Sequence, residues 1–373
     1  MRFGVLIPLS ITSLLFGGAA IARSADGTPA TPSWNQEAAA HYLDSRQGWW
    51  EGWEKSQRDH GTVCVSCHTA LPYALSRPVL RTALGEHGLT GTEQVMLASV
   101  TKRVTLWKDV EPVYTDAKQG PPKSAEARGT ESVLNALVLA NYDAQQGHLK
   151  DITRLAFDAA WALQLKTGEK AGAWNWLNFH NSPWEADESQ YYGATLAAIA
   201  VGLAPDHYRK DHQIQANLKL LRSYLRSQYR AQPLINQTVL LWASTRLPGL
   251  LDKGKKRELM AELFRRQQVD GGWSLSTLGT FKRRDKTAED PRSDGYATGL
   301  TVYALQQAGL PSNKPELQKA VVWLEQNQNH ANGLWPGYSL NKQRDPATDV
   351  GKFMSDAATG YAVLALENAH LGK

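Results

Sequence analysis

The segment Gly61-Thr62-Val63-Cys64-Val65-Ser66-Cys67-His68 holds both cysteines of the chain, with a histidine directly after the second. This is the spacing of covalent haem attachment. The two thiols add to the vinyl groups of a porphyrin, and the histidine then lies under the ring as an iron ligand. Other uses of a cysteine pair fit less well. A redox dithiol belongs in a βαβ context, and zinc wants about four ligands, for which no second pair exists. A bridge over so short a loop removes little unfolded-state entropy. The expectation is one covalent haem c, tethered by Cys64 and Cys67, with His68 as proximal iron ligand.

Candidates for the opposite face of the iron are few. Met354 directly precedes an apolar helical segment that would neighbour the cysteines in a closed fold; Met96 and Met260 read as core fillers. His180 and an open sixth site remain alternatives. Arg77, Arg81 and Lys352 are candidate partners for haem propionates. Trp184, Tyr191 and Tyr192 in "SPWEADESQYYG", together with Tyr296, are candidate cavity walls, with Glu185 or Glu188 as acid or base.

The elements that must position these residues are helices. Six segments rich in Ala, Leu, Val and Tyr are apolar nearly all round: 64–80, 130–144, 189–204, 235–247, 293–309 and 355–369. Six amphipathic ones alternate with them: 35–53, 93–107, 149–164, 213–230, 255–268 and 316–328. Strand alternation with hairpin turns is scarce. Buried helices alternating with half-exposed ones give an all-α fold of two concentric rings, an (α/α)6 toroid of six helical hairpins. Pro72 falls inside the first buried segment and should kink it or mark its true start. Glu131, Glu188, Asp294 and Asp356 each stand near the start of a buried helix. They read as N-terminal caps, most of them, and that placement also sets them as a ring of carboxylates around one mouth. In that ring Glu188, Asp294 and Asp356 are candidate catalytic groups.

The segments "LQLKTGEKAGAWNWL" (163–177), "RRQQVDGGWSL" (265–275) and "LEQNQNHANGLWPGYSL" (324–340) resemble the Gln…Gly-x-Trp repeat of squalene/hopene cyclases and prenyltransferase β-subunits, with "WWEGW" (49–53) as a degenerate copy. The resemblance implies the toroid. It implies neither family chemistry. No Asp-x-Asp-Asp acid is present, and of the three zinc ligands only Asp294 stands in place, with Tyr296 at the cysteine position and Ala358 at the histidine position.

Residues 1–22 read as a secretory leader, with Arg2, an uncharged apolar run and Ala20-Ile21-Ala22 as cleavage signal. Residues 23–34 follow as a short flexible segment and 35–373 as a single toroid. Export to the periplasm, with no membrane span after cleavage, fits haem attachment outside the cytoplasm. The net charge is +5 with both signs interspersed, which excludes a nucleic-acid partner. The expected function is an exported mono-haem oxidoreductase acting on a hydrophobic or aromatic small molecule. The alternatives are an electron-transfer protein serving a redox partner, or a haem-free glycan-active or ligand-binding toroid.

Overall fold

The computed structural model of the protein describes Met1, residues 34–110 and residues 120–371, with side chains to Ala369. The leader, and all of the following segment except Trp34, lie outside them apart from Met1. Residues Ser33–Lys373 form one compact unit. Twelve helices carry it among the described residues: α1 (Gln36–Gly52), α2 (Ala70–Ala83), α3 (Gly91–Thr105), α4 (Gly120–Gln146), α5 (Asp151–Leu163), α6 (Ser189–Leu203), α7 (Gln215–Gln228), α8 (Leu234–Arg246), α9 (Lys253–Arg265), α10 (Gly295–Gln307), α11 (Pro315–Gln326) and α12 (Phe353–Leu371).

The even-numbered helices form the inner ring. Each packs on the next, and α12 packs on α2, so the ring is closed. The odd-numbered helices lie outside, each against its own hairpin partner or the next inner helix. This is the expected (α/α)6 toroid, and the composition explains the layering. Inner helices are buried on every side, while α5, α7 and α11 bury one stripe. Gly299 lets α10 approach α12 closely, since a Cβ there would stand 2.6 Å from the Ala362 nitrogen.

The Gln…Gly-x-Trp segments are the fasteners of the outer ring. Trp174, Trp273 and Trp335 are fully buried, and each donates its indole N–H to a carbonyl in the last turns of the preceding outer helix: Ala160, Leu263 and Leu324. Gln164, Gln267 and Gln328 each donate to the carbonyl of their own turn glycine: Gly172, Gly271 and Gly333. The same amides reach the start of the following outer helix, at Asn217, Glu316 and Asn35. The third fastener joins α11 to α1 and closes the ring. Beside it Trp34 is buried edge-on to Trp335, at 5.6 Å between ring centroids.

Two boundaries differ from expectation. Helix α2 begins at Ala70, because Cys64–Thr69 turn out of a two-residue hairpin, β1 (Gln57–Arg58) against β2 (Thr62–Val63). Pro72 therefore sits in the first turn, where its missing N–H costs nothing. The proline inside the helix is Pro78. It leaves the Ala74 carbonyl without its helical donor, and Asn141 of α4 supplies one from Nδ2 at 3.0 Å. Helix α4 starts ten residues earlier than the apolar pattern, at Gly120.

Candidate functional site

Two mouths open on the toroid axis. At the N-terminal ends of the inner helices, the connections after α5, α9 and α11 form the rim. Arg284 donates to the Phe179 carbonyl and to Asn181 Oδ1 (2.6 Å), its own N–H meets the Asn341 carbonyl, and Arg283 holds the Ser339 carbonyl. The rim encloses a hollow of about 100 Å³, lined by His68, Trp184, Glu185, Arg344, Phe353 and Met354 among others.

His68 is fixed from behind. The Thr69 hydroxyl gives its proton to Asp356 Oδ2 (2.7 Å), so it accepts from His68 Nδ1 (2.8 Å). That assigns the proton to Nδ1 and leaves Nε2 as an acceptor. Burial, with Arg46 and Arg344 near, pulls the imidazole down to about 3, so the ring is neutral. Trp184 is buried and donates from Nε1 to the Tyr296 hydroxyl (3.1 Å). Glu185 is held by a two-way backbone pairing with Asn181. Burial raises its carboxyl above the ordinary range, against the pull of Asn181 and more distant Lys123 and Arg58.

The remaining carboxylates of this mouth are engaged. Asp356 accepts from Tyr42 (2.7 Å), Arg46 Nε (2.8 Å) and Thr69. Glu131 accepts from Arg103, Nε at 2.8 Å. Asp294 caps α10, taking the N–H groups of Ala297 (2.9 Å) and Leu275 (2.6 Å), while burial pushes it up to about 7. Glu188 accepts from Ser182 (2.6 Å) and faces a separate hollow of about 430 Å³ with Pro233 and Phe281. Of the expected wall, Tyr192 and Tyr296 are fully buried in the ring centre, where Tyr361 joins them with its ring 5.4 Å from that of Tyr296. Tyr191 turns outward to α7, donating to the Leu225 carbonyl. His180 lies on the rim loop and is exposed.

The haem expectation is overturned. The Cys64-x-x-Cys67-His68 spacing stands in the chain, but the pair packs into the protein: Cys67 is buried and Cys64 half-buried, and burial pushes the Cys64 thiol up to about 12 and the Cys67 thiol well above its ordinary value. Thiols so raised are the opposite of reactive dithiols. The ring of His68 stacks on Phe353 at 3.7 Å between ring centroids. The hollow beside it, about 100 Å³, leaves no room for a flat macrocycle. Met354 lines that hollow as packing. Arg77 is buried between Asp44 and Glu86, and Arg81 pairs with Glu93, both toward the far end of α2. Haem c, iron ligation by His68 and Met354, propionate binding by Arg77 and Arg81, and electron transfer to a redox partner are all set aside. Among the described residues no group of His, Cys, Asp or Glu is placed to hold a metal ion.

No family model matches the chain, and no curated protein does. Solved structures do match. One is a glycosidase in complex with glucose: 13% identity, TM-score 0.50, covering 90% of this chain and 98% of that chain. Another is an inactive variant of the alpha-1,6-mannanase GH76A of Salegentibacter sp. HEL1_6 in complex with alpha-1,6-mannotetrose: 12% identity, TM-score 0.50, covering 90% and 99%. At this identity the likeness is one of fold, the α/α toroid. The kinship expected with squalene/hopene cyclases and prenyltransferase β-subunits gives way to it.

Residues the sequence did not point to include Arg344 and Asn341 of the last rim loop and Phe353, the first residue of α12, which complete the hollow. The loop has no periodic pattern, so only the tertiary fold brings Arg344 and Asn341 to His68.

Proposed function

We propose that this chain is an exported carbohydrate-active toroid that takes the end sugar of a glycan at the His68–Trp184–Glu185 hollow. The observation that carries the reading is Glu185, a carboxyl raised by burial that lines the hollow beside a buried tryptophan. A glycosidic oxygen needs a proton as its bond breaks, and a carboxyl whose protonated form burial favours is suited to supply it. Trp184 offers an aromatic face to the sugar ring. His68 Nε2 accepts from a sugar hydroxyl, and the Arg344 guanidinium donates to ring or hydroxyl oxygens. The solved neighbours named for glucose and mannotetrose complexes support the substrate class.

The test is release of reducing ends from a panel of polysaccharides, α-1,6-mannan included, by the wild type and by E185Q. Hydrolysis of at least one member is expected, lowered roughly a hundredfold or more in E185Q. No cleavage of any member, or full activity in E185Q, overturns the reading.

A further inference from the structure

Two groups lining the His68–Trp184–Glu185 hollow can carry charge besides the neutral His68: Glu185 and Arg344. Burial favours the uncharged form of Glu185. Arg344 has no hydrogen-bond or ion-pair partner among the described residues. It is half-buried rather than enclosed, so its guanidinium is open to whatever enters the hollow. Burial and the like charge of Arg284 both work against its positive charge. Arg284 spends its own donors on neutral acceptors, the Phe179 carbonyl and Asn181 Oδ1.

The acids of the two surrounding rim loops are turned elsewhere. Asp285 accepts from the Thr287 hydroxyl and the Gln343 N–H, and Asp345 from the Ala347 N–H. Asp290 pairs with Arg292, and Asp349 with Arg46. Two more donors stand on the loop of Arg344. Ser339 Oγ accepts from the Asn341 N–H, which leaves its own proton to give. The Asn341 side-chain amide lines the hollow without a partner among the described residues. A neutral sugar offers these groups only hydroxyl and ring oxygens. A carboxylate offers two coplanar oxygens that match the guanidinium fork and form charge-assisted bonds with it.

We infer that the glycan is acidic: the sugar taken by the hollow is a hexuronic acid whose carboxylate seats on Arg344, with Ser339 and Asn341 as further donors. This rests on the hollow being the sugar site proposed above, but not on cleavage there.

Ligand-observed NMR titration of the purified chain with glucuronate, galacturonate and mannuronate, each against its neutral hexose, tests this. At least one acid is expected to bind about tenfold tighter than its neutral counterpart, with R344M cutting that preference to about twofold or less and R344K keeping part of it. Arg344 makes no contact that the fold depends on, so both variants should fold. Equal affinity for acids and neutral sugars, no binding of any acid, or an undiminished preference in R344M overturns the inference. The two readings fail separately. Polysaccharide cleavage lost in E185Q but without a uronate preference removes the acidic sugar and leaves hydrolysis. An Arg344-dependent uronate preference without cleavage of any polysaccharide upholds the acid site and removes hydrolysis.

Discussion

Gln328 and Asn35, 293 residues apart, are joined twice: the Gln328 amide donates to the Asn35 carbonyl at 2.9 Å, and the Asn35 N–H donates to Gln328 Oε1 at 2.6 Å. A third bond ties the same amide to Gly333. The side chain thus works as a peptide group would, bridging the last outer helix to the first and closing a ring that the covalent chain leaves open. Replacing Gln328 by Ala strands the Gly333 carbonyl and the Asn35 N–H and removes one of the two donors to the Asn35 carbonyl. The expected loss is about 2–4 kcal/mol by denaturant titration. Native-state hydrogen exchange should quicken first in α1. Unchanged stability would show that the clasp is incidental.

The turn glycine of that fastener allows a sharper test. Gly333 has φ +78°, and a Cβ on it would stand 2.1 Å from the Ala38 carbonyl oxygen of α1. Backbone conformation and space both exclude a side chain, so Gly333→Ala should cost about 3 kcal/mol or more. Gly309 has a similar φ of +82° but open space around it. Gly309→Ala should cost only the strain of a left-handed residue, roughly 1 kcal/mol. Equal losses at the two positions would refute the packing argument.

Asn141 and Pro78 should be energetically coupled. The Asn141 amide serves the Ala74 carbonyl only because Pro78 lacks the N–H that would. Asn141→Leu should destabilise by about 1–2 kcal/mol in the native background and by clearly less when residue 78 is alanine, whose own N–H restores the helical bond. A double-mutant cycle with no coupling sinks the assignment.

The toroid was legible because its layering is written in composition: helices apolar all round can sit only inside, and amphipathic ones only outside. The Gln…Gly-x-Trp segments also showed their mechanics, since a glycine and a tryptophan at that spacing leave few ways to turn. The cysteine motif misled because local spacing says nothing about free volume. Phe353, far along the chain from His68, helps to close a hollow of only about 100 Å³ beside it. Pattern could not separate the carboxylates either. Asp356 and Glu131 are consumed by Arg46 and Arg103 from outer helices, while Glu185, inside an irregular loop, keeps the hollow.

If Glu185 is the proton donor, its raised pKa sets the alkaline limb of activity. Burial favours the protonated carboxyl, so turnover should be level below that pKa and fall as pH rises through it, at a pH above the roughly 4.3 of a free Glu. Opening the hollow with Phe353→Ala should hydrate Glu185 and move that limb to lower pH. A limb that stays in place would assign the titration to another group.

Glu367 offers a pH effect on folding alone. It sits on α12 facing α1, accepts from the Gln36 amide at 2.8 Å, and is pushed up to about 7 by burial. Unfolded, it titrates near 4.3. Between those values the folded chain holds a proton that the unfolded chain has released, so this group's contribution to stability is full below about 4.3 and is lost as pH rises through 7. Glu367→Gln keeps the acceptor for Gln36 and cannot ionise. Denaturant titrations of both proteins at pH 4, 6 and 8 should therefore show E367Q gaining on the wild type as pH rises, with the difference flat below pH 4. A difference independent of pH would mean that Glu367 remains solvated in the folded chain.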